Sequence, residues 1–319
     1  MKNVELKEKN LMRYITLGQD DKELSEIVLG MMRIKDKSVK EVEELVETAL
    51  SVGINAFDLA DIYGRGRCEE LLGIVLKNRP DLREKMWIQS KCGIRIEEFT
   101  YFDFSKDYII KSVDGILQRL KIDHLDSLLL HRPDALMESD QVAEAFDLLY
   151  KQGKVRDFGV SNQNPMMMEL LKKDVKQPLA VNQLQLSAAF TPGFESGFHV
   201  NMEDSQATMR DGSVFEYCKL HDVVIQAWSV LQFGYFKGNF VGNEKFQALN
   251  QVLDRLAFKY GVTPSTIAIS WILRYPAKMQ AVVGTTNPKH LREVSQAANF
   301  SLTRKEWYEI YLVAGNNLP

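Results

Sequence analysis

The stretch Ser127-Leu128-Leu129-Leu130-His131 decides the fold class of this 319-residue chain. Three consecutive leucines are typical of a parallel β-strand buried on both faces, and such strands belong to α/β proteins, in which helices cover the sheet. The sequence that follows agrees with this class. Residues 141–151 show helical periodicity, and Gly153 ends that helix before a further strand over residues 155–160.

The same alternation of strand and helix continues on both sides of this stretch. The expected strands cover residues 27–31, 54–58, 86–91, 127–131, 155–160, 179–183, 223–227 and 280–283. Apolar side chains at helical spacing predict helices over residues 39–51, 68–77, 105–120, 141–151, 164–172, 213–220, 245–260, 263–273 and 288–298. Eight strand-and-helix units in one chain favour a (β/α)8 TIM barrel.

An open, doubly wound sheet is the alternative α/β architecture. It would carry a Gly-x-Gly-x-x-Gly turn after its first strand, and this chain has no such turn there. Gly64 and Gly66 follow the second strand, but the third glycine is missing. A barrel of roughly 250 residues with insertions also accounts for the whole chain, residues 1–319, as a single domain.

Two connections, over residues 92–104 and 187–212, are longer than the others. They follow the third and sixth strands, so they belong to the C-terminal face of a barrel, where active sites are found. The first of them is rich in aromatic residues. We expect both to form walls of a functional site.

The composition argues against several functions and locations. A net charge of −3, with Lys and Arg spread along the chain, argues against a nucleic-acid or membrane partner. Three cysteines without a Cys-x-x-Cys pair argue against a disulfide framework or a metal site. The N-terminus is polar, so we expect no signal peptide. No apolar run reaches about 18 residues, so we expect no membrane span. We therefore expect a cytoplasmic protein.

Polar, ionisable or aromatic residues stand at the C-terminal end of nearly every expected strand. They are Asp58, Lys91, His131, Ser161, Asn162, Gln183, Trp228, Ser229, Gly284, Thr285 and Thr286. Because the C-terminal ends of barrel strands meet at one mouth, we expect these residues to form a single site there.

Six segments carry most of these residues. They are Asn55-Ala-Phe-Asp58-Leu-Ala-Asp61-Ile-Tyr63-Gly64, Gln89-Ser-Lys91-Cys-Gly, Leu129-Leu-His131-Arg-Pro-Asp134, Gly159-Val-Ser161-Asn162, Asn182-Gln183 and Ala227-Trp228-Ser229. In this order they resemble the motifs of the aldo-keto reductase superfamily, and in particular of its general bacterial oxidoreductase branch. The resemblance runs from about residue 10 to the C-terminus.

The resemblance implies NADPH-dependent reduction of aldehydes or ketones by a catalytic tetrad of Asp58, Tyr63, Lys91 and His131. The chemistry agrees, because a carbonyl group that accepts hydride needs a proton donor within hydrogen-bonding reach. Tyrosine, with a pKa of about 10, is a weak acid alone, and we expect the Lys91 ammonium to lower that pKa. Asp58 would hold Lys91 in place, and His131 would orient the carbonyl oxygen.

The resemblance also implies a nicotinamide cofactor, since no side chain can deliver hydride. The residues that it assigns to the nicotinamide and pyrophosphate are Ser161, Asn162, Gln183, Trp228, Ser229 and Leu231. The first three would bind the carboxamide, the indole would stack on the nicotinamide ring, and the last two would contact the pyrophosphate.

The region assigned to the 2′-phosphate departs from the family's pattern. Many relatives have a lysine and an arginine where this chain has Gly284 and His290. Thr285 and Thr286 still offer hydroxyl groups, and the N-terminus of the following helix favours an anion. Glu293 matches the family's adenine contact. We expect NADPH rather than NADH. NADH is the alternative, because the missing guanidinium removes a bidentate phosphate partner.

Substrate-facing residues are expected on the loops at the barrel mouth. The candidates are Met32, Arg33, Tyr101, Phe102, Arg132, Phe233 and Tyr235. Their aromatic members suggest an apolar or aromatic carbonyl substrate, and packing of the loops is the alternative role. Arg132 either attracts an acidic substrate or pairs with Asp134.

Two other functions are compatible with a nucleotide-binding barrel. One is a redox-sensing regulatory subunit like the potassium-channel β-subunits of the superfamily, but such relatives tend to lack the histidine found here at position 131. The other is a different barrel enzyme, such as a phosphate-sugar isomerase, which would not need the full tetrad together with Ser161, Asn162 and a stacking tryptophan. A reductase explains all of these residues. For the oligomeric state we expect a monomer, which is the default for such a barrel.

Overall fold

A closed barrel of eight parallel strands forms the centre of the computed structural model, which describes residues 12–18, 22–198, 205, 208, 212–234 and 236–316. Barrel strands that are consecutive along the chain are neighbours in space, and the last strand pairs with the first, with Ala281 opposite Ile27. This arrangement confirms the predicted fold class and excludes the open sheet.

The eight barrel strands begin and end close to the predicted positions, and four short strands that the structure describes outside the barrel were not predicted. In chain order they are β1 (Tyr14–Leu17), β2 (Lys22–Ser25), β3 (Ile27–Gly30), β4 (Ala56–Asp58), β5 (Trp87–Cys92), β6 (Ile94–Ile96), β7 (Thr100–Phe102), β8 (Leu125–Leu130), β9 (Val155–Ser161), β10 (Leu179–Gln185), β11 (Val224–Trp228) and β12 (Met279–Val283). The barrel consists of β3, β4, β5 and β8 to β12.

The antiparallel hairpin of β1 and β2 closes the N-terminal end of the barrel. Leu17 and Leu24 are buried there with Val28, Trp87 and Val224, in a hydrophobic cluster contributed by the barrel strands. The sequence pattern does not predict this hairpin. It explains how the bottom of the barrel is kept from water, so that the opposite end is the open one.

Helices surround the barrel. They are α1 (Val39–Ser51), α2 (Arg67–Asn78), α3 (Lys106–Leu120), α4 (Ser139–Lys151), α5 (Pro165–Lys172), α6 (Pro192–Phe198), α7 (Val214–Leu220), α8 (Gln247–Tyr260), α9 (Pro264–Leu273), α10 (Pro288–Ser295) and α11 (Arg304–Val313). Local sequence fixes several N-termini. Ser38 and Glu41 form a capping box on α1, and proline occupies the first turn of α5, α9 and α10.

The long connection after β5 is an ordered hairpin of β6 and β7. Gly93 begins it with φ of +109°, and a Cβ atom at this position would lie 1.9 Å from the buried Phe104 ring, so only glycine fits. Ser105 precedes α3, but its hydroxyl donates to Asp103 and does not cap the helix. The connection after β10 contains α6, and residues 199–204, 206–207 and 209–211 lie outside the described part.

The C-terminal helix α11, also not predicted, is fixed to α9 by a pair of tryptophans. The rings of Trp271 and Trp307 stack with centroids 4.9 Å apart. Each indole N–H donates to the backbone carbonyl of the other residue, at 3.0 and 3.1 Å. Burial of two indoles with both polar atoms satisfied makes this a strong contact.

The main hydrophobic core lies between the outer face of the barrel and the helices. All three cysteines, Cys68, Cys92 and Cys218, are buried and unpaired. Within the described ranges, every helix is too short or too polar to cross a bilayer.

Candidate active site

Lys91, on β5, lies at the C-terminal end of the barrel with none of its surface exposed. Its ammonium donates to the carboxylate of Asp58 at 2.8 Å, to the backbone carbonyl of Leu59 at 2.6 Å and to the hydroxyl of Tyr63 at 3.1 Å. The three ammonium protons therefore have three acceptors, which is the condition under which a lysine can be fully buried.

The turn after β4 brings Tyr63 back over Lys91. Asp58 ends β4 in register with Gln89 of β5, and the backbone N–H of Asp61 then donates to the carbonyl of Lys91 at 3.0 Å. The backbone N–H of Tyr63 donates to the carbonyl of Ala60 at 3.0 Å and closes the turn. The six-residue segment 58–63 thus places a carboxylate and a phenol on the same ammonium.

The imidazole of His131 completes this group. His131 directly follows β8, and its ring meets the ring of Tyr63 edge-on with centroids 5.9 Å apart. Burial, followed by the positive charges of Lys91 and Arg132, lowers the pKa of His131 well below its usual value. The ring is therefore neutral at neutral pH, and it can donate one hydrogen bond without carrying charge.

Burial raises the pKa of Tyr63, although the neighbouring Lys91 ammonium opposes the change. The expected net lowering of this pKa is therefore wrong, because desolvation of the phenolate outweighs the attraction to Lys91. Burial also acts to lower the pKa of Lys91, but the attraction to Asp58 and Tyr63 outweighs it and the pKa is raised. At neutral pH the site holds a protonated phenol next to a charged ammonium.

Four buried glutamines connect Asp58 to the bottom of the barrel, and we call Gln89, Gln183, Gln226 and Gln280 the glutamine chain. The amides of Gln89 and Gln183 donate to Asp58 Oδ1 at 2.7 and 3.0 Å. Both also donate to Gln226 Oε1, at 2.8 and 3.1 Å. The Gln226 amide in turn donates to Gln280 at 2.8 Å, and Gln280 donates to the backbone of Ser25 at 3.0 Å.

Every amide in the glutamine chain donates to a defined oxygen, and Gln89 and Gln183 donate both to Asp58 and to Gln226. Hydrogen bonds donated to the Asp58 carboxylate favour its ionised form. The chain therefore orients the carboxylate that holds Lys91. Sequence reasoning found Gln183 but missed the other three glutamines.

A second group of residues lies beside the tetrad. The guanidinium of Arg132 lies 5.2 Å from the centre of the Trp228 ring and donates to Ser161 Oγ at 3.2 Å. The side-chain amide of Asn162 lies within hydrogen-bonding distance of both the Trp228 indole and the carbonyl of Gln183. The residues predicted to bind a nicotinamide are thus brought together in the structure.

The structure excludes one of the two roles considered for Arg132, the pairing with Asp134. Asp134 accepts hydrogen bonds from the backbone of Phe104 at 3.2 Å and of Leu136 at 2.9 Å. Among the described residues it makes no ion pair with Arg132, so the pairing alternative is wrong. The guanidinium instead borders the cavity next to Trp228.

A cavity of about 1090 Å³ opens at this end of the barrel. The predicted site residues that line it are Met32, Arg33, Asp58, Tyr63, His131, Arg132, Gln183, Trp228, Ser229, Leu231, Gly284, Thr285, His290 and Glu293. It extends from the tetrad to the N-terminus of α10, so one continuous space joins the catalytic candidates to the predicted phosphate and adenine contacts.

Comparison with known proteins agrees with this geometry. A family model described as the aldo/keto reductase family matches residues 26–313. The chain belongs to the aldo/keto reductase family. The match begins just before the first barrel strand and ends with the last helix, so it covers the whole barrel.

Several bacterial relatives are similar over nearly their whole length. A protein named 6-dehydroglucose reductase from Agrobacterium fabrum is 34% identical over 306 residues, which is 92% of this chain and 96% of that protein. Oxidoreductase YdhF of Escherichia coli is 34% identical over 318 residues, covering 97% of this chain and 100% of that protein.

Solved structures share the fold. The aldo-keto reductase Tm1743, described in complex with the inhibitor epalrestat, aligns with a TM-score of 0.75 and 25% identity over 95% of this chain and 100% of that one. An aldo-keto reductase from Klebsiella pneumoniae, described in complex with NADPH, aligns with a TM-score of 0.73 and 20% identity over 94% of each chain.

Some residues predicted from the family resemblance lie outside the cavity lining. They are Lys91, Tyr101, Phe102, Ser161, Asn162, Phe233 and Thr286. Lys91 is buried beneath the cavity and contacts it through Tyr63. Tyr101 and Phe102 lie on β7, and the Phe233 ring packs against Phe246 with centroids 5.0 Å apart. Tyr235 falls outside the described residues.

The cavity of this aldo/keto reductase also includes residues that sequence reasoning missed. They are Ile62, Ile94, Gln232, Phe236, Asn239, Thr263, Ser265 and Ile269, among others. Thr263 caps α9 and also lines the cavity. Its sequence context indicates only the first of these two roles. Ile94 comes from the hairpin of β6 and β7, which the sequence pattern predicts only as a long connection.

Proposed function

We propose that this protein reduces aldehydes or ketones to alcohols with NADPH as the hydride donor. The observation that carries the proposal is the contact of one buried ammonium, Lys91, with both Asp58 and Tyr63 on the floor of a large cavity, beside a neutral His131. Bound NADPH would supply the hydride, which no side chain can supply.

Tyr63 is the proton donor in this proposal. As hydride reaches the carbonyl carbon, negative charge develops on the oxygen, and the Tyr63 hydroxyl transfers its proton there. The phenolate that remains is stabilised by the ammonium 3.1 Å away until a proton returns from solvent. The neutral ring of His131 donates a hydrogen bond to the same oxygen and orients it.

The cavity fits a dinucleotide cofactor and a small substrate together. Sites for small molecules and cofactors usually measure about 300–1000 Å³, and this cavity is slightly larger than that range. Ser161, Asn162 and Gln183 would bind the carboxamide next to Trp228. The remaining proposed cofactor contacts are Ser229, Leu231, Gly284, Thr285, Thr286, His290 and Glu293.

The names of relatives support NADP(H) and a carbonyl substrate. One structural relative is described with NADPH and another, also from Klebsiella pneumoniae, with NADP and acetate. Relatives at 34 and 33% identity are named 6-dehydroglucose reductase. We propose a small carbonyl substrate bound between Met32 and Arg132, and a monomeric cytoplasmic enzyme in which residues 1–319 form one domain.

Fluorescence titration with NADPH and NADH, followed by turnover of 4-nitrobenzaldehyde, tests this function. Trp228 lines the cavity, so binding should quench tryptophan emission. We expect saturable NADPH binding and aldehyde-dependent NADPH oxidation. Binding without turnover on any of a panel of aldehydes and ketones would favour a regulatory barrel, and no binding would remove the assignment.

A further inference from the structure

Arg33 lines the cavity next to the C-terminal end of β12. It lies on a short 3-10 turn over Met32–Ile34, directly after β3, and lines the cavity. Its guanidinium reaches across to β12 and donates to the backbone carbonyl of Gly284 at 3.2 Å. This is its one hydrogen bond among the described residues, and no described carboxylate forms an ion pair with it.

Gly284 makes room for this guanidinium. A Cβ atom at position 284 would lie 2.7 Å from Arg33 Nη1, and apart from Arg33 nothing else lies within 4 Å of that point. Any side chain here would displace the guanidinium. Gly284, after β12, therefore leaves the space that the long side chain of Arg33, after β3, occupies.

The other positive groups on this part of the cavity wall are less suited to an anion. Lys35 lies 3.9 Å from the carboxylate of Asp36, and both line the cavity. Arg132 lies over the Trp228 ring, close to the catalytic candidates. Arg33 has most of its N–H donors unused, and it stands beside Thr285 where β12 leads into α10.

We propose that Arg33 binds the 2′-phosphate of NADPH, and that Gly284 is required because it leaves space for the guanidinium. The inference rests on the proposed function and adds the residue that discriminates NADPH from NADH. A guanidinium with free N–H groups can form paired hydrogen bonds to phosphate oxygens, and NADH has no group at this position.

Equilibrium dissociation constants for NADPH and NADH, measured by tryptophan quenching without substrate, test the proposal. We expect Arg33→Leu to weaken NADPH by about tenfold or more and to leave NADH within about twofold. Gly284→Ala should weaken NADPH about threefold by moving the guanidinium, with little effect on NADH. Thermal unfolding of each variant checks that the fold is unchanged.

A relocated charge supplies the most specific test. In the double variant Arg33→Leu/Gly284→Lys, the new ammonium takes the vacated space, and NADPH affinity should return to within about threefold of wild type. Lys289→Leu is the matched control, because Lys289 is exposed and close in sequence but does not line the cavity. It should leave the ratio of the two dissociation constants unchanged.

The outcomes separate this inference from the proposed function. If the wild-type protein binds neither dinucleotide, both proposals are overturned. If it binds NADPH but Arg33→Leu weakens both cofactors equally, or neither, the reductase proposal stands and the role of Arg33 is wrong. A double variant that recovers no NADPH affinity would also overturn the inference. Unchanged NADPH affinity in Gly284→Ala would show that Gly284 is not required for the position of the guanidinium.

Discussion

The ammonium nitrogen of Lys91 lies 3.1 Å from the phenol oxygen of Tyr63, and both are desolvated. This contact couples their ionisation, because the charge on Lys91 favours the phenolate while burial favours the phenol. Burial prevails in the structure, and the pKa of Tyr63 is raised. The site therefore stores a proton on Tyr63 and keeps a positive charge ready for the phenolate that forms when the proton leaves.

Replacement of Gln226 by leucine tests whether the glutamine chain positions Asp58. The change removes the acceptor of Gln89 and Gln183 and the donor to Gln280, all of them buried. We expect a loss of about 2–4 kcal/mol in the free energy of unfolding, because buried polar groups lose partners. Turnover should fall about tenfold as the tetrad loses its alignment.

Two further variants, Gln226→Glu and Gln247→Leu, serve as comparisons for Gln226→Leu. Gln226→Glu keeps the two acceptor contacts but adds charge near Asp58, so it should shift the pH profile of turnover, which a purely structural role would not do. Gln247 is exposed at the start of α8, and its replacement should change neither stability nor turnover. A Gln226→Leu variant with wild-type turnover would show that the chain has no positioning role.

Asp61 predicts a distinctive dependence of stability on pH. Burial, reinforced by the negative charge of Glu69, raises the pKa of Asp61 from 3.8 to about 7. Between these two pH values the folded protein holds a proton that the unfolded chain has released, so stability decreases as pH rises through this window and is level above it. Asp61→Asn should therefore stabilise the protein by about 2–4 kcal/mol near pH 8 and hardly at all near pH 4.

Denaturant unfolding of the wild type and Asp61→Asn at both pH values measures this effect. Asp254→Asn is the matched control, because Asp254 is exposed on α8. Its stability difference from wild type should be the same at both pH values. A constant difference for Asp61→Asn as well would contradict the raised pKa of Asp61.

The neutral state of His131 can be observed by NMR. Because burial and two neighbouring cations lower its pKa, the ring signals of His131 should not shift between about pH 7.5 and pH 5.5. Histidine in the unfolded protein should titrate near pH 6.5 over the same range. His131→Gln assigns the signals, and titration of this ring in the folded protein would show that it is not neutral during catalysis.

His290→Arg examines the other side of the phosphate region. His290 is exposed and lines the cavity near the start of α10. A guanidinium here would add a second phosphate partner, so NADPH should bind about three- to tenfold tighter and NADH should be unaffected. Equal tightening of both cofactors, measured by fluorescence titration, would place His290 away from the 2′-phosphate.

The sequence predicted the barrel and the tetrad because both depend on local patterns. β8 is buried throughout and His131 follows it directly, and a buried strand with a polar, ionisable or aromatic residue at its C-terminal end recurs at most barrel strands. The helices were recognisable because their apolar positions recur at helical spacing and their first turns carry caps.

The features that were missed depend on contacts between distant residues. Gln89 and Gln226 are 137 positions apart, and nothing in either segment indicates that their amides meet. The β1 and β2 hairpin has four-residue strands with mixed polarity, which give little periodicity. The direction of the Tyr63 pKa depends on how deeply the ring is buried, and spacing along the chain cannot reveal that.

Comparison of Tyr63→Phe with the wild-type protein tests the central claim most directly. NADPH affinity and the rate of aldehyde reduction are measured on the same preparations. Because phenylalanine keeps the ring and removes only the proton donor, we predict NADPH binding within about threefold of wild type and a loss of at least about a hundredfold in turnover. Turnover close to wild type with intact cofactor binding would contradict the assignment of Tyr63 as the acid.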